Sequence, residues 1–333
     1  MTPRIAFLWR RLRETWPRIA RFLALTISLA VIAMLVRLGS QIDWREVFLA
    51  VRGIAGTTLA LAGVLAFSGY AAYAGIDYLA RRFLHHEQTV WKTLAIAAAS
   101  YAFNVNLGVL LGSVGVRLRL YRMLGLRHTS TAGVVLFGSV TNWLGYCWMG
   151  AIFFFGAVPG TLASWGIGPA ATRTAGAVLV LVACTYVFLC ATAARRAWSF
   201  RGHHLAFPSV WMAMAQSGLA IASWNIVALV IYLLLERQVP YPEVLGITLL
   251  SSIAALLTHI PGGLGVTEVV FVDALRGQMN AHDVLAAILM YRVLYQWIPL
   301  CIALPGYVAV EIKIRRNRCG QDGQHAQKNG QAQ

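Results

Sequence analysis

A chain of 333 residues with 59% hydrophobic and only 12% charged residues is not a soluble globular protein, which carries about twice that share of charge. Its formal charge of +16 falls in short clusters between apolar runs. That pattern argues against a nucleic-acid surface, which would gather one aromatic-laced basic patch, and for loops facing an anionic leaflet. Five cysteines without a CxxC, four of them in apolar runs, argue against a disulfide scaffold or a zinc site.

The first 18 residues form a basic tail with Arg4, Arg10, Arg11, Arg13 and Arg18. The apolar stretch at 19–36 is long for a signal-peptide core and reads as a first span, an uncleaved anchor. Residues 37–53, with Asp43, Trp44, Arg45 and Glu46, read as an outer amphipathic turn. Further stretches of spanning length cover 54–76, 93–115, 131–156, 174–194, 209–235, 243–260 and 284–310, with a shorter one at 264–275. Residues 157–173 suit an external loop. The polar, Gln/Gly-rich end is expected to be disordered. The layout is thus a cytoplasmic tail at 1–18, a transmembrane domain at 19–312 and a polar cytoplasmic tail at 313–333.

Charge tests the number of crossings. If every long stretch crossed, the cluster Arg117, Arg119, Arg122 and Arg127 would lie outside, as would Arg195, Arg196 and Arg201. Both clusters return inside if 93–115 enters and leaves on the cytoplasmic face and 243–275 does so on the outer face. The expected fold is therefore an all-α polytopic membrane protein with about six full crossings and two oppositely oriented re-entrant broken-helix hairpins. Both termini are then cytoplasmic. Opposed hairpins suit an inverted repeat of the kind transporters use.

Local sequence supports both breaks. NVNLGVLLGSVG at 104–115 places Asn104, Asn106, Gly108, Gly112 and Gly115 within a few turns. Asparagine offers the backbone a competing hydrogen bond, and glycine removes the cost of non-helical dihedrals. HIPGGLGVTE at 259–268 joins Pro261 to Gly262, Gly263 and Gly265, and proline disrupts the preceding turn. Thr267 is expected to cap the helix that follows. Broken backbone at membrane depth must be covered by protein or line a wet cavity.

Arg292, in LMYRVLYQWIPL, is the sharpest single feature. A mid-bilayer charge costs about 2.5–3.5 kcal/mol unless it snorkels, pairs or faces a cavity. Glu268 follows the second break and is its obvious partner; a titrating Glu268 coupled to transport is the other reading. Arg117, Arg119 and Arg122 follow the first break. They read either as plain topology signals or as guanidinium forks for a phospholipid phosphate. His259 either lines the cavity or is structural, and Tyr291 and Tyr295 pack around Arg292. Asn142 and Asn225 are expected as helix–helix glue. His85, His86, His203 and His204 read as solvated loop residues, and Asp77 and Asp273 form no motif. The candidate binding and transport residues are thus Asn104, Asn106, Gly112, Arg117, Arg119, Arg122, His259, Pro261, Gly263, Gly265, Glu268, Tyr291 and Arg292.

No GxxxxGK[ST], HExxH or GxSxG occurs, so the expectation is a protein that is not an enzyme and needs no metal or cofactor. Four blocks, YAFNVNLGVLLGSVGVRLRLYRMLGL at 101–126, TNWLGY at 141–146, SSIAALLTHIPGGLGVTEVVF at 251–271 and YRVLYQWIPL at 291–300, carry a resemblance. It is to YbhN-type inner-membrane proteins, within the lysylphosphatidylglycerol synthase transmembrane region or MprF flippase-like family, and it spans about residues 20–312. The resemblance implies phospholipid handling at the bacterial inner membrane. In the multiple peptide resistance factor this domain is associated with moving aminoacylated phosphatidylglycerol outward, beside a synthase domain that has no counterpart here. The family's broken-helix residues fall on Asn106, Gly112, Arg117, Arg119, Gly263, Gly265 and Glu268, and the arginine of its last span on Arg292. Relatives often carry alanine at the second glycine of the PGG break. A flippase is the leading expectation, and a non-transporting scaffold or regulator of phospholipid enzymes the alternative. The expected partners are phospholipids with anionic head groups and, as an open possibility, a second copy of the chain; nucleic acid is not expected.

Overall fold

The computed structural model describes residues 44–156, 168–193, 198–200, 203–205, 207–258, 260–309 and 312. The span expected at 19–36, the two tails, His259 and most of the 157–173 loop lie outside the described residues. The chain divides into units 1–46 and 47–333. Of the first unit, only the opening residues of helix α1 (Trp44–Gly53) are described.

Among its described residues, the second unit is helical apart from one short ribbon. It comprises α2 (Gly56–Leu84), α3 (Val90–Leu107), a π-helical segment (Val109–Gly115), α4 (Val116–Met123), α5 (His128–Gly156) and α6 (Pro169–Ala193). The ribbon pairs β1 (Trp198–Phe200) with β2 (His203–Leu205), antiparallel, with Trp198 opposite Leu205. Helices α7 (Val210–Leu234), α8 (Tyr241–Thr258), α9 (Val266–Ala274) and α10 (Ala281–Tyr291) follow. A π-helical segment, Arg292–Trp297, continues α10 to Ala309.

Five helices among the described residues are long and apolar enough to cross a membrane: Gly56–Leu84, Pro169–Thr192, Val210–Leu234, Tyr241–Thr258 and Ala281–Ala309. At 1.5 Å per residue even the 18-residue member reaches about 27 Å, close to the hydrocarbon thickness. The protein is an all-α polytopic membrane protein.

Helix α2 is the organising element. Its buried residues Ala62, Ala66, Tyr70, Tyr73, Asp77 and Ala80 recur every three or four positions, one stripe of a 3.6-residue helix. Small residues on that stripe let neighbours close in. A Cβ on Gly69 would stand 2.8 Å from the Tyr295 hydroxyl, and one on Gly75 would press on Leu219 of α7. The outer helix α6 instead leaves Val178, Leu181, Val182 and Phe188 exposed, as expected for a lipid-facing surface. Gln216 of α7 bridges its neighbours. It donates to Thr141 of α5 and accepts from Tyr186 of α6, each at 2.8 Å.

Both sequence breaks are real interruptions, and at each the chain folds back on the helix it has left. At Gly108 the backbone takes φ 83, ψ 173, which an L side chain rarely adopts. The returning π-helical segment then lies against α3, with Gly112 on the Phe103 carbonyl and the Asn104 amide nitrogen. At the outer end of this hairpin, Gln88 Nε2 donates to the Leu124 carbonyl at 2.9 Å. In the second hairpin Gly262, Gly263 and Gly265 all have positive φ, and α9 returns along α8. Gln278 Nε2 donates to Glu243 Oε1 at 2.9 Å, closing that hairpin at its outer end. The two tips meet: a Cβ on Gly262 would stand 3.0 Å from the Asn106 carbonyl oxygen.

Thr267 does not cap α9. Gly265 is the N-cap, and Thr267 lies inside the first turn with its hydroxyl directed at the Gly263 carbonyl. The positive φ of Gly265 starts the helix at Val266, one residue before the threonine.

Gly112→Ala tests the first hairpin. The added methyl meets main-chain atoms of α3, which cannot rotate away. A loss near the upper end of the usual overpacking range, about 3 kcal/mol, is expected, read as a drop in thermal midpoint of the purified protein. An unchanged midpoint would show that the return segment does not pack on α3.

Candidate functional site

The hairpin tips close on the π-helical segment of α10, which carries Arg292. This guanidinium is 1% exposed, and each of its five N–H groups has a partner. Nε donates to Glu268 Oε1, and Nη2 to Glu268 Oε2 and the Gly263 carbonyl, both at 2.9 Å. Nη1 donates to the Gly262 carbonyl at 2.8 Å and to Gln296 Oε1 at 3.0 Å. The local chemistry explains the set. A broken helix leaves carbonyls without amide partners, and here an arginine fork takes two of them. Glu268, in the first turn of α9, is favoured there by the helix dipole, and its side chain is 16% exposed.

The π-helical widening leaves carbonyls accessible to side chains. Tyr70 Oη donates to the Tyr295 carbonyl at 3.0 Å. Asn106 Nδ2 donates to the Gln296 carbonyl at 3.0 Å and to the Ala102 carbonyl at 2.8 Å. Asn106 therefore ties the first tip to α10. Asn104 accepts the Gly108 amide through its main-chain carbonyl at 2.8 Å, and its side-chain oxygen is buried without a partner. Pro261 opens the short 3-10 turn Pro261–Gly263. Gly263 is buried, and a Cβ there would stand 2.8 Å from Ala255.

Arg292 and Glu268 are the second of two buried pairs in chain order; the first was not anticipated. Asp77 of α2, which the expected 54–76 span stopped short of, is fully buried and chelated by Arg117 of α4, itself 1% exposed. Nε donates to Oδ2 at 3.1 Å, Nη2 to Oδ1 at 2.8 Å, and Nη1 to Ser113 Oγ at 2.7 Å. The guanidinium also lies over the Tyr73 ring, 5.4 Å from its centroid. Arg117 is thereby separated from Arg119 and Arg122, both exposed.

Tyrosines join the two pairs. Tyr73 stacks on Tyr101 at 3.8 Å between centroids, the Tyr101 and Tyr295 hydroxyls share a hydrogen bond of 3.1 Å, and Tyr295 stacks on Tyr291 at 5.4 Å. Tyr291 adjoins Arg292 in the chain. Asn225 is interhelical glue: it accepts from Tyr241 Oη and directs its amide at Met149 Sδ.

His86 is not solvated. It lies in the α2–α3 loop at 8% exposure, edge-on to Tyr121, with no partner for either ring nitrogen. Burial, and then the nearby Arg81 charge, hold its pKa below 6.5. The neutral ring is therefore favoured in the folded state. The stability this carries is complete above the unfolded-state value of about 6.5 and falls as pH drops through it. The wild-type thermal midpoint should fall more steeply than that of His86→Gln between pH 7 and pH 5.5. Parallel curves would show that His86 does not titrate with unfolding.

No family model matches the chain. Over 304 residues it is 34% identical to inner membrane protein YbhN of Escherichia coli, covering 91% of this chain and 96% of that one. An uncharacterized protein of Synechocystis is 28% identical over 290 residues, 85% of this chain and 89% of its own. A phosphatidylglycerol lysyltransferase of Staphylococcus xylosus is 31% identical over 85 residues, 24% of this chain and 10% of that enzyme. With a buried, paired arginine at the meeting of two broken-helix tips and near-complete alignment to the Escherichia coli protein, this chain belongs to the YbhN family of multi-pass inner-membrane proteins.

Proposed function

We propose that the protein moves phospholipids with an anionic or aminoacylated head group between the leaflets of the bacterial inner membrane, and that it does so as a transporter without enzymatic chemistry. In this reading six helices cross, both termini are cytoplasmic, and the hairpins enter from opposite faces. The observation that carries the proposal is the meeting of two broken-helix tips, Gly262 against Asn106, beside buried Arg292. Interrupted backbone and buried guanidinium at membrane depth are costly, and proteins retain them where polar cargo must pass. The short similarity to phosphatidylglycerol lysyltransferases points to the same lipid class.

The roles follow from exposure. Arg119 and Arg122, exposed on α4, meet the head-group phosphate first, as forks on the cytoplasmic face. Passage then requires the tips to part, with Glu268 as the reachable member of the second pair. The alternative, a non-transporting scaffold or regulator of phospholipid enzymes, is favoured by the complete satisfaction of Arg292 by protein groups.

Proteoliposomes holding fluorescent phosphatidylglycerol, with leaflets resolved by dithionite quenching, separate the two readings. Movement above that of empty vesicles, reduced several-fold by Arg119→Gln/Arg122→Gln, is the expected result. Wild-type vesicles that match empty ones would overturn the transporter.

A further inference from the structure

Asp77 and Arg117 differ from the second pair in one respect that matters for binding. Arg292 uses all five N–H groups on protein, whereas Arg117 donates three hydrogen bonds and otherwise faces the Tyr73 ring. Among the described residues, one hydrogen on each of Nη1 and Nη2 has no oxygen acceptor. The nearest atom to a Cβ placed on Gly138 of α5 is Arg117 Nη1, at 3.7 Å, and nothing else lies within 4 Å. The glycine keeps open the side of the guanidinium that carries a spare donor.

From the pair towards the α2–α3 loop runs a line of buried polar groups. Tyr121 is fully buried, and its hydroxyl faces Asp77 and Thr93. His86 sits edge-on to it at 5.8 Å with both nitrogens unpaired. Buried polar groups are nearly always satisfied, so His86, unsatisfied beside a tyrosine that faces Asp77, marks a place where protons or water are exchanged.

We propose that Asp77 is a proton-binding site coupled to phosphate binding at Arg117. Cytoplasmic water gives a proton to an Asp77 carboxylate oxygen by way of His86 and Tyr121. The carboxyl becomes neutral, and Arg117, still a cation, turns its fork to a phosphodiester monoanion. The site is then neutral with either partner: aspartate with arginine, or phosphate with arginine beside a protonated acid. Desolvated charge must be balanced, so one anion enters with one proton. This deepens the lipid-transport reading and rests on it, by naming the proton as the co-ligand.

Among the described residues, Asp77 faces the Tyr121 hydroxyl besides Arg117. Helix α4 presents Arg117 and Tyr121, and Tyr73 lies one turn before Asp77 on α2. Helix α7 has no acidic or basic residue. Helix α5 has no Asp, Glu, Lys or Arg, and its histidine, His128, is its first residue. Helix α3 has only Lys92, which is exposed, besides Tyr101 in the tyrosine ladder. The π-helical segment of α10 brings Arg292, whose donors are taken. Facing His86 are Tyr121 and Arg81.

The test is calorimetric titration of the full chain in detergent with dihexanoylphosphatidylglycerol, repeated in buffers of different ionisation enthalpy between pH 6 and pH 8. Uptake of about one proton per lipid is expected, with affinity rising up to tenfold per pH unit lowered within the titrating window. In Asp77→Asn the uptake should vanish. Should that variant not fold, Asp77→Glu must displace the pH midpoint of uptake. Lipid binding without proton uptake in the wild type overturns the coupling and leaves the lipid reading standing. Uptake that persists in Asp77→Asn, or a midpoint unmoved in Asp77→Glu, overturns the assignment to Asp77. No lipid binding at any pH overturns the lipid reading itself. Glycerophosphoglycerol, the phosphodiester head group without tails, should bind at least tenfold more weakly. Equal affinity would make the site one for soluble phosphate esters and overturn its coupling to lipid.

Discussion

Replacing Arg292 with methionine should lower the stability of the purified protein by about 3–5 kcal/mol, the cost of leaving a buried charge without its partner, and should abolish lipid movement. The loss reaches beyond Glu268. The Gly262 and Gly263 carbonyls and the Gln296 amide oxygen also accept from this guanidinium, so three more acceptors lose their donors. Lysine should restore little, because an ammonium offers three donors from one point and cannot span a carboxylate and two carbonyls. Adding Glu268→Gln to Arg292→Met should recover only part of the loss, since the Gly262 and Gly263 carbonyls still lack the guanidinium. Thermal or denaturant midpoints across the three variants measure this. Full recovery in the double variant would mean that the carbonyl contacts contribute nothing.

The first pair should respond in the opposite way. Asp77→Asn or Arg117→Met alone should cost about 3–5 kcal/mol, because each strands a buried partner. Asp77→Leu combined with Arg117→Met should regain most of that. Apart from Ser113, the Tyr73 face and the Tyr121 hydroxyl, these two side chains satisfy each other, and apolar replacements of similar size often match a buried ion pair in stability. The double variant should nevertheless be inactive in leaflet-resolved lipid transport. A folded double variant with full transport would make the pair purely structural.

These contrasts show which parts of the site could be read from sequence. The Glu268–Arg292 pair was legible because three local signals coincide: a Pro-Gly-Gly break, a carboxylate in the first turn after it, and one arginine in an apolar run. Asp77 was missed because a hydropathy window ends at a charge. The apolar stretch was closed at residue 76, whereas α2 runs on to Leu84. A signal was present, since Asp77 continues the stripe of Ala62, Ala66, Tyr70 and Tyr73 and so faces inward by its spacing. Its partner lies 40 residues away, a distance that no local pattern reports. His86 was misread for a related reason: its neighbours in sequence are basic, but its neighbours in space are Tyr121 and the α2 end. The two π-helical segments were not legible either. Their positions depend on Gly112 meeting α3 and on carbonyls shared with Tyr70 and Asn106, contacts made only in the folded bundle.

The glutamine bonds at the outer ends of the two hairpins have a mechanical consequence. Gln88 fastens to Leu124 and Gln278 to Glu243, so each hairpin is a cantilever, clamped at its base and loaded at its far end. A cantilever does not slide; it deflects, and once the Asn106 and Arg292 bonds at the tips release, the deflection is greatest at the end far from the base. There the backbone is glycine, with the least resistance to changing its dihedrals. Any rearrangement of this protein should therefore swing the two glycine tips apart while the clamped bases stay within hydrogen-bonding distance.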